Sequence, residues 1–260
     1  MTALSEQHSQ WPIYVIAMER ETERRDELRQ SFAELGLGFE FFNGVDGRDL
    51  PAHYQQHYDP AGAQKMNGRE LTPGELGCYA SHVELWRKIA ASDVPYALIF
   101  ESDARPTADT AAVVEAIAGL SVPWDMVLLH WTECIPSFWG RHSLCKDYTL
   151  VRFARKTYSA ATYLLTPKGA RILLDFVEPV VLPLDDVMTG GKIKKPMEIY
   201  GVTPAAAQLS DHSLVSGTIL DHERAVFDAS RRTDKSRHLG KRIERDIRRF
   251  FYKIMPPPAI

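Results

Sequence analysis

From Ile13 to Met18 the chain reads IYVIAM, a continuous apolar and β-branched run after Pro12 that predicts a strand buried on both faces. Glu21 to Leu35 follows with apolar residues at Leu28, Phe32 and Leu35 among dense charge, and it stops at Gly36, so it predicts an amphipathic helix. Phe39 to Phe42 returns as a short aromatic strand and ends in Asn43-Gly44-Val45-Asp46-Gly47, which suits a tight turn. The opening is therefore a βαβ unit. Pro51 to Asn67 is polar, aromatic and unpatterned and reads as a loop. Thr72-Pro73-Gly74-Glu75 then supplies an N-cap, a proline at the first helical position and a glutamate at the third. The helix starting there carries Leu76, Tyr79, Ala80, Val83, Trp86 and Ile89 on one face. Pro95 introduces the strand Tyr96 to Phe100, which runs straight into Glu101-Ser102-Asp103.

Beyond that point Ala111 to Leu120 reads as a helix and Met126 to His130 as a buried strand. Val151 to Phe153 and Ala160 to Leu165 read as further strands, and Pro167 to Phe176 as a helix announced by Thr166-Pro167. Strands alternating with helices predict an α/β fold with a mainly parallel sheet flanked by helices. Length supports one main domain over residues 12–220, followed by a distinct tail over 221–260. In that tail Leu239, Ile243, Ile247, Phe250 and Ile254 recur at steps of three or four, while Arg237, Lys241, Arg242, Arg245, Arg248 and Arg249 fill the other face. This predicts a basic amphipathic helix ended by Pro256-Pro257-Pro258.

Charge sharpens the division. Between Arg231 and Lys253 there are ten Lys/Arg against three Asp/Glu, a net of +7, which leaves −10 on the rest of a chain whose total is −3. An acidic body argues against nucleic acid as the partner, and a basic amphipathic helix can lie on an anionic bilayer. Cys78, Cys134 and Cys145 are an odd number without a CxxC pair, so neither a disulfide framework nor a zinc knuckle is expected. With no basic-then-apolar leader and no spanning apolar run, a cytoplasmic protein peripheral on the inner face of the membrane is the expectation.

In open α/β sheets ligands bind beyond the carboxyl ends of the strands, which directs attention to Glu101 and Asp103. Two carboxylates separated by one residue at a strand end suit a hard divalent cation; they are also common in loops and caps. Cys78 and His82 are four apart on the predicted helix and could share a metal, but no further Cys or His sits at a suitable spacing.

Four blocks of sequence resemble glycosyltransferase family 25, the lipopolysaccharide and lipooligosaccharide biosynthesis transferases that include β-galactosyltransferases. They are IYVIAMERETERR (13–25), FEFFNGVDG (39–47), LTPGELGCYASHVELWRKI (71–89) leading to PYALIFESD (95–103), and ATYLLTPKGARILL (161–174) with PLDD (183–186) beyond it. The resemblance implies a GT-A-like fold, a UDP-sugar donor, most often UDP-galactose, Mn²⁺ dependence and inversion at the anomeric carbon, and with the basic tail it leads to the expectation of a lipid-linked glycan acceptor. It carries donor contacts onto Ile16, Arg20, Arg25, Asp46, Ser81, His82, Glu101, Ser102 and Asp103, and metal ligation onto Glu101 and Asp103. Ser102 stands where the family's Glu-Asp-Asp has its middle acid, and Ala17 where an asparagine is common.

An inverting transfer needs a base at the acceptor hydroxyl, and Asp185 and Asp186 are the two candidates. Arg24 joins Arg20 and Arg25 as a group able to reach donor phosphate, or a solvated helix start. Trp131, Phe138 and Trp139 either stack on acceptor sugars or pack under a long loop. His82 serves either the donor or the core. The competing functional readings are a transferase using UDP-glucose or UDP-N-acetylglucosamine, and a catalytically silent nucleotide-sugar or glycan-binding protein.

Overall fold

The computed structural model describes residues 11–132, 135–153, 157–189 and 195–210. The tail, with the amphipathic helix expected there, lies outside the described residues, as does Cys134. The expected βαβ opening is present as β1 (Ile13–Ala17), α1 (Thr22–Ala33) and β2 (Glu40–Asn43). β1 pairs in parallel with β2 on one side and with β3 (Ala97–Glu101) on the other.

Five further strands complete the main sheet: β5 (Met126–Leu128), β6 (His142–Ser143), β7 (Thr149–Val151), β8 (Thr162–Leu165) and β9 (Ile199–Thr203). Their order is β2-β1-β3-β8-β5-β9-β7-β6. β8 lies antiparallel between β3 and β5, so β3, β5 and β9 run the same way and present their carboxyl ends at one edge. The fold is α/β with a large mixed sheet flanked by helices, a Rossmann-like arrangement consistent with GT-A, and the parallel part is the half that ends in Glu101. A separate ribbon pairs β4 (Ala104–Pro106) with β10 (Ala207–Leu209).

Side chains alternate between two apolar layers, as the period of a strand requires. Tyr14, Ile16, Ile99, Met126, Leu128, Tyr163 and Leu165 enter one layer, and Ile13, Val15, Leu98, Phe100, Val127 and Leu164 the other. The first layer is covered by α4 (Pro73–Ala90), α6 (Pro167–Leu174) and α7 (Leu184–Met188), the second by α1 and α5 (Thr110–Ala118). Burial on both faces explains why the central strands are unbroken apolar runs.

α4 begins where the sequence places it. The Thr72 hydroxyl accepts from Glu75 N at 3.2 Å, Thr72 N donates to Glu75 Oε2 at 3.0 Å, and Arg69 clamps both Glu75 oxygens at 2.6 and 2.7 Å. Its first turn presses on the turn after β2, where a Cβ on Gly47 would lie 1.6 Å from Pro73 O.

One expectation is corrected. Residues 51–67 are not a loop but two helices, α2 (Ala52–His57) and α3 (Pro60–Asn67). α3 is capped by Asp59, whose side chain accepts from Gly62 N at 2.8 Å, carries Pro60 in its first turn, and ends on the left-handed Gly68. Only Tyr54 and Ala63 of the two helices are buried, so neither shows the apolar stripe by which helices are recognised.

Candidate functional site

Strand parity decides which way the carboxyl end of β3 looks. Ile99 belongs to the layer beneath α4, so Glu101, two residues on, points to that helix. Cys78, His82 and Trp86 lie at steps of four along α4 and form the row that receives it. Glu101 Oε1 is 3.0 Å from His82 Nε2 and accepts from the Cys78 thiol at 3.4 Å. His82 Nδ1 is 2.7 Å from the Tyr163 hydroxyl, which also accepts from Trp86 Nε1 at 2.8 Å.

These contacts fix the hydrogens. Trp86 can only donate, so the Tyr163 oxygen accepts from it; with the Glu101 carboxylate accepting at Nε2, the Tyr163 hydrogen is the one left to lie toward His82 Nδ1. His82 then carries its hydrogen on Nε2 and donates it to Glu101. His82 is fully buried and Tyr163 sits beside Ile99 in the sheet, so the relay is built into the core and ends at the carboxylate.

Ser102 faces the other way, where Arg24 Nη1 donates to its hydroxyl at 3.3 Å. Arg105 Nη1 donates to Ser102 O at 2.7 Å while its other nitrogen reaches Glu27 at 3.2 Å. Asp103 feels all of this. Burial first, and then the Glu101 charge, raise its carboxyl to about 6, with Arg24 and Arg105 pulling the other way.

The charge of a third carboxylate acts on this corner from elsewhere in the chain. Burial, followed by the charges of Glu101, Asp185 and Asp103, holds the Cys78 thiol well above its ordinary pKa. Asp185 stands in the first turn of α7, more than eighty residues from β3, yet acts on the same thiol. Its neighbour Asp186 is 6% exposed and acts instead on Lys195, a buried amine that desolvation lowers to about 8.

The remaining sequence candidates fall in several places. Ile16 is buried in β1 opposite Glu101. Arg20 pairs with Asp46, whose carboxyl is lowered by the Arg48 backbone amide and by Arg20. Arg25 donates to Ala17 O at 3.0 Å and to Asn43 Oδ1, and lies 4.5 Å over the Phe41 ring, tying the ends of β1 and β2 together. Ser81 is buried; its hydroxyl donates to Gly77 O at 2.7 Å and accepts from Val45 N at 2.8 Å, pinning α4 to the turn.

Trp131 donates to Val202 O at 2.8 Å and packs edge-on against Phe153. Phe138 and Trp139 are 69% and 52% exposed. They follow the Pro136↔Phe153 bridge, beside Arg152, whose guanidinium binds Glu198 at the entry to β9, toward the edge of the sheet opposite Glu101. Arg105 and Tyr163 were not among the sequence candidates. Tyr163 sits in an apolar strand with no local mark of its role, and Arg105 reads only as a basic residue after a strand.

The oxygen donors of Glu101 and Asp103 match a hard divalent cation, and the Asp103 carboxyl, raised first by burial and then by the Glu101 charge, is one whose ionised form such a cation would stabilise. Mn²⁺ is one cation of that class. With Ser102 in the middle position and its hydroxyl held by Arg24, the strand end offers two carboxylates.

Residues 10–188 match the family model described as glycosyltransferase family 25, LPS biosynthesis protein. A "Glycosyltransferase 25 family member" of Aedes aegypti is 32% identical over 182 residues, 63% of this chain and 28% of that protein. A "Probable inactive glycosyltransferase 25 family member 3" of Bos taurus is 25% identical over 198 residues, 72% of this chain and 33% of its own length. "Procollagen galactosyltransferase 1-A" of Xenopus laevis is 24% identical over 209 residues, 72% of this chain and 32% of that protein. The chain therefore spans about a third of the length of these curated relatives or less.

Proposed function

Because the chain belongs to glycosyltransferase family 25, we propose that it transfers a hexose, galactose from UDP-galactose, with inversion onto a lipopolysaccharide-type, lipid-linked glycan. The observation that carries this reading is the pair of carboxylates, Glu101 and Asp103, that β3 delivers to the carboxyl edge of the sheet, with Asp185 of α7 near enough for its charge to act on the Cys78 thiol as theirs do. Metal-binding and base-supplying carboxylates must meet in one place for a single displacement, and the action of all three charges on one thiol supports that meeting.

In this mechanism Glu101 and Asp103 would hold a divalent cation, Mn²⁺, which would supply charge neutralisation to the leaving nucleotide diphosphate. The relay Trp86–Tyr163–His82 orients Glu101 from behind. Arg24, close enough to act on Asp103, supplies positive charge on the α1 side of the strand end. Asp185 takes the proton of the acceptor hydroxyl, since it shares the thiol's surroundings with Glu101 and Asp103, whereas Asp186 is directed at Lys195. The enzyme works on the inner face of the membrane, held there by the basic tail.

The test is release of UDP from a panel of UDP-sugars, including UDP-glucose and UDP-N-acetylglucosamine, with and without Mn²⁺ and with candidate glycan acceptors. Release from one donor, lost in Asp103→Ala and lowered ~10²–10⁴-fold in Asp185→Asn, supports the reading. An Asp186→Asn variant that lost kcat as fully as Asp185→Asn, while still folded, would remove the assignment of the base. A second reading is a nucleotide-sugar binder without turnover. It is favoured by Ser102 in place of an acid and by relatives whose names call them inactive. Donor binding with no release from any sugar, acceptors included, would establish it.

A further inference from the structure

We propose that Cys78, His82 and Glu101 form a site for a thiophilic divalent cation of the zinc class, one whose occupation withdraws Glu101 from the pair it makes with Asp103. The three candidate ligand atoms lie within 4.8 Å of one another. Glu101 Oε1 is 3.0 Å from His82 Nε2 and 3.4 Å from Cys78 Sγ. A tetrahedral zinc with bonds of about 2.0–2.3 Å sets its ligand atoms roughly 3.2–3.8 Å apart, so small side-chain adjustments bring these three around one ion. Three protein ligands leave a fourth position for water, as in an open zinc site.

The surroundings fit as well. A ligating imidazole needs a partner on its other nitrogen, and His82 already has one in Tyr163, itself held by Trp86. His82 is fully buried, but Glu101 retains 24% side-chain exposure, so an ion enters over its carboxylate. A thiolate ligand selects zinc, cadmium or cobalt over magnesium and manganese, which separates this site from the all-oxygen pair.

The protons balance simply. The Cys78 thiol proton leaves to solvent as the sulfur binds. The His82 ring stays neutral and moves its hydrogen from Nε2 to Nδ1, where the Tyr163 oxygen accepts it as that hydroxyl rotates. One proton is released for each ion bound.

The site itself needs no transferase activity; the consequence that zinc inhibits turnover rests on the function proposed above. Titrating the metal-free full chain with Co²⁺ should give one equivalent with a thiolate-to-cobalt charge-transfer band, displaced by Zn²⁺. Cys145→Ser and Cys134→Ser should retain it, and Cys78→Ser should lose it. Zinc affinity should fall by ~100-fold or more in Cys78→Ser, since even outer-shell changes cost ~10–100-fold. In the wild-type chain, zinc should slow alkylation of Cys78, read by mass spectrometry, so the test does not depend on the variant folding. A cobalt–thiolate band that survives in Cys78→Ser, or alkylation of Cys78 that zinc leaves unslowed, overturns the proposal. Because these readouts involve no sugar transfer, they stand or fall separately from UDP release.

Discussion

Asp103 holds its proton more tightly in the folded chain than in the unfolded one, because burial and the neighbouring Glu101 charge raise its carboxyl to about 6. A raised carboxyl contributes stability that is complete below about pH 4 and is lost as pH rises through about 6. Above that pH the metal-free protein carries a buried charge it would be more stable without. Asp103→Asn should therefore be more stable than wild type at pH 7.5 without metal, by ~2–3 kcal/mol, and nearly equal to it at pH 4. Urea unfolding at both pH values measures this, and a difference independent of pH would contradict the assignment. Adding a divalent cation should narrow the gap, since it stabilises the chain that binds it. Which residues share this corner was legible only in part. Glu101 and Asp103 announce themselves by standing directly after a buried run. Arg24 and Arg25 are adjacent in sequence and could not be ranked, because the phase of α1 alone decides that Arg24 meets Ser102 and Arg25 meets Ala17 and Asn43. Ser81 and His82 have partners at Val45 and Tyr163 that no local pattern signals.

The helix α4 brings most of the site together, and its placement depends on an intimate contact at its start. Gly47 sits against Pro73 and Gly77, and a Cβ there would fall 1.6 Å from Pro73 O and 2.7 Å from Gly77 N. Both neighbours are backbone, so the strain is not relieved by turning a side chain. Gly47→Ala should cost ~3 kcal/mol or more. If the fold survives, α4 must move away from the turn and draw Cys78 and His82 from Glu101, so metal affinity should fall along with the melting temperature. A Gly47→Ala protein with wild-type stability and metal binding would show that the turn yields freely. The start of α4 was legible because a capping box is a local device, written into four consecutive residues. α2 and α3 were missed although Asp59-Pro60 and Gly68 bracket α3, because their weakly buried faces lack apolar periodicity. The antiparallel course of β8 was not legible either, since a strand buried on both faces reads the same in either direction.

At the scale of the whole chain the sequence separates a body of −10 from a segment of +7. Residues 231–253 lie outside the described structure, so the case for what they do is electrostatic and periodic. The helix expected from the sequence, with basic residues on one side and Leu239, Ile243, Ile247, Phe250 and Ile254 on the other, would have two available counterparts, an anionic bilayer or the acidic body itself. These make opposite demands on salt and on activity. Each basic residue near an anionic surface contributes about 1 kcal/mol, so ten of them in this stretch exceed what three acids offset. Binding to phosphatidylserine or cardiolipin vesicles should then be strong at low ionic strength, weaken steeply as salt screens the charges, and disappear when residues 231–260 are deleted. Turnover on a water-soluble donor and acceptor should survive the deletion, because the carboxylates Glu101, Asp103 and Asp185, and the Ser210 amide that holds the Asp103 carbonyl, all precede residue 231. A tail docked on the body would give the reverse pattern: unchanged vesicle binding, with lower stability or altered turnover on deletion. Co-sedimentation with vesicles and UDP release, run on the same pair of proteins, separate a tail that holds the protein on an anionic surface from one that packs on the body.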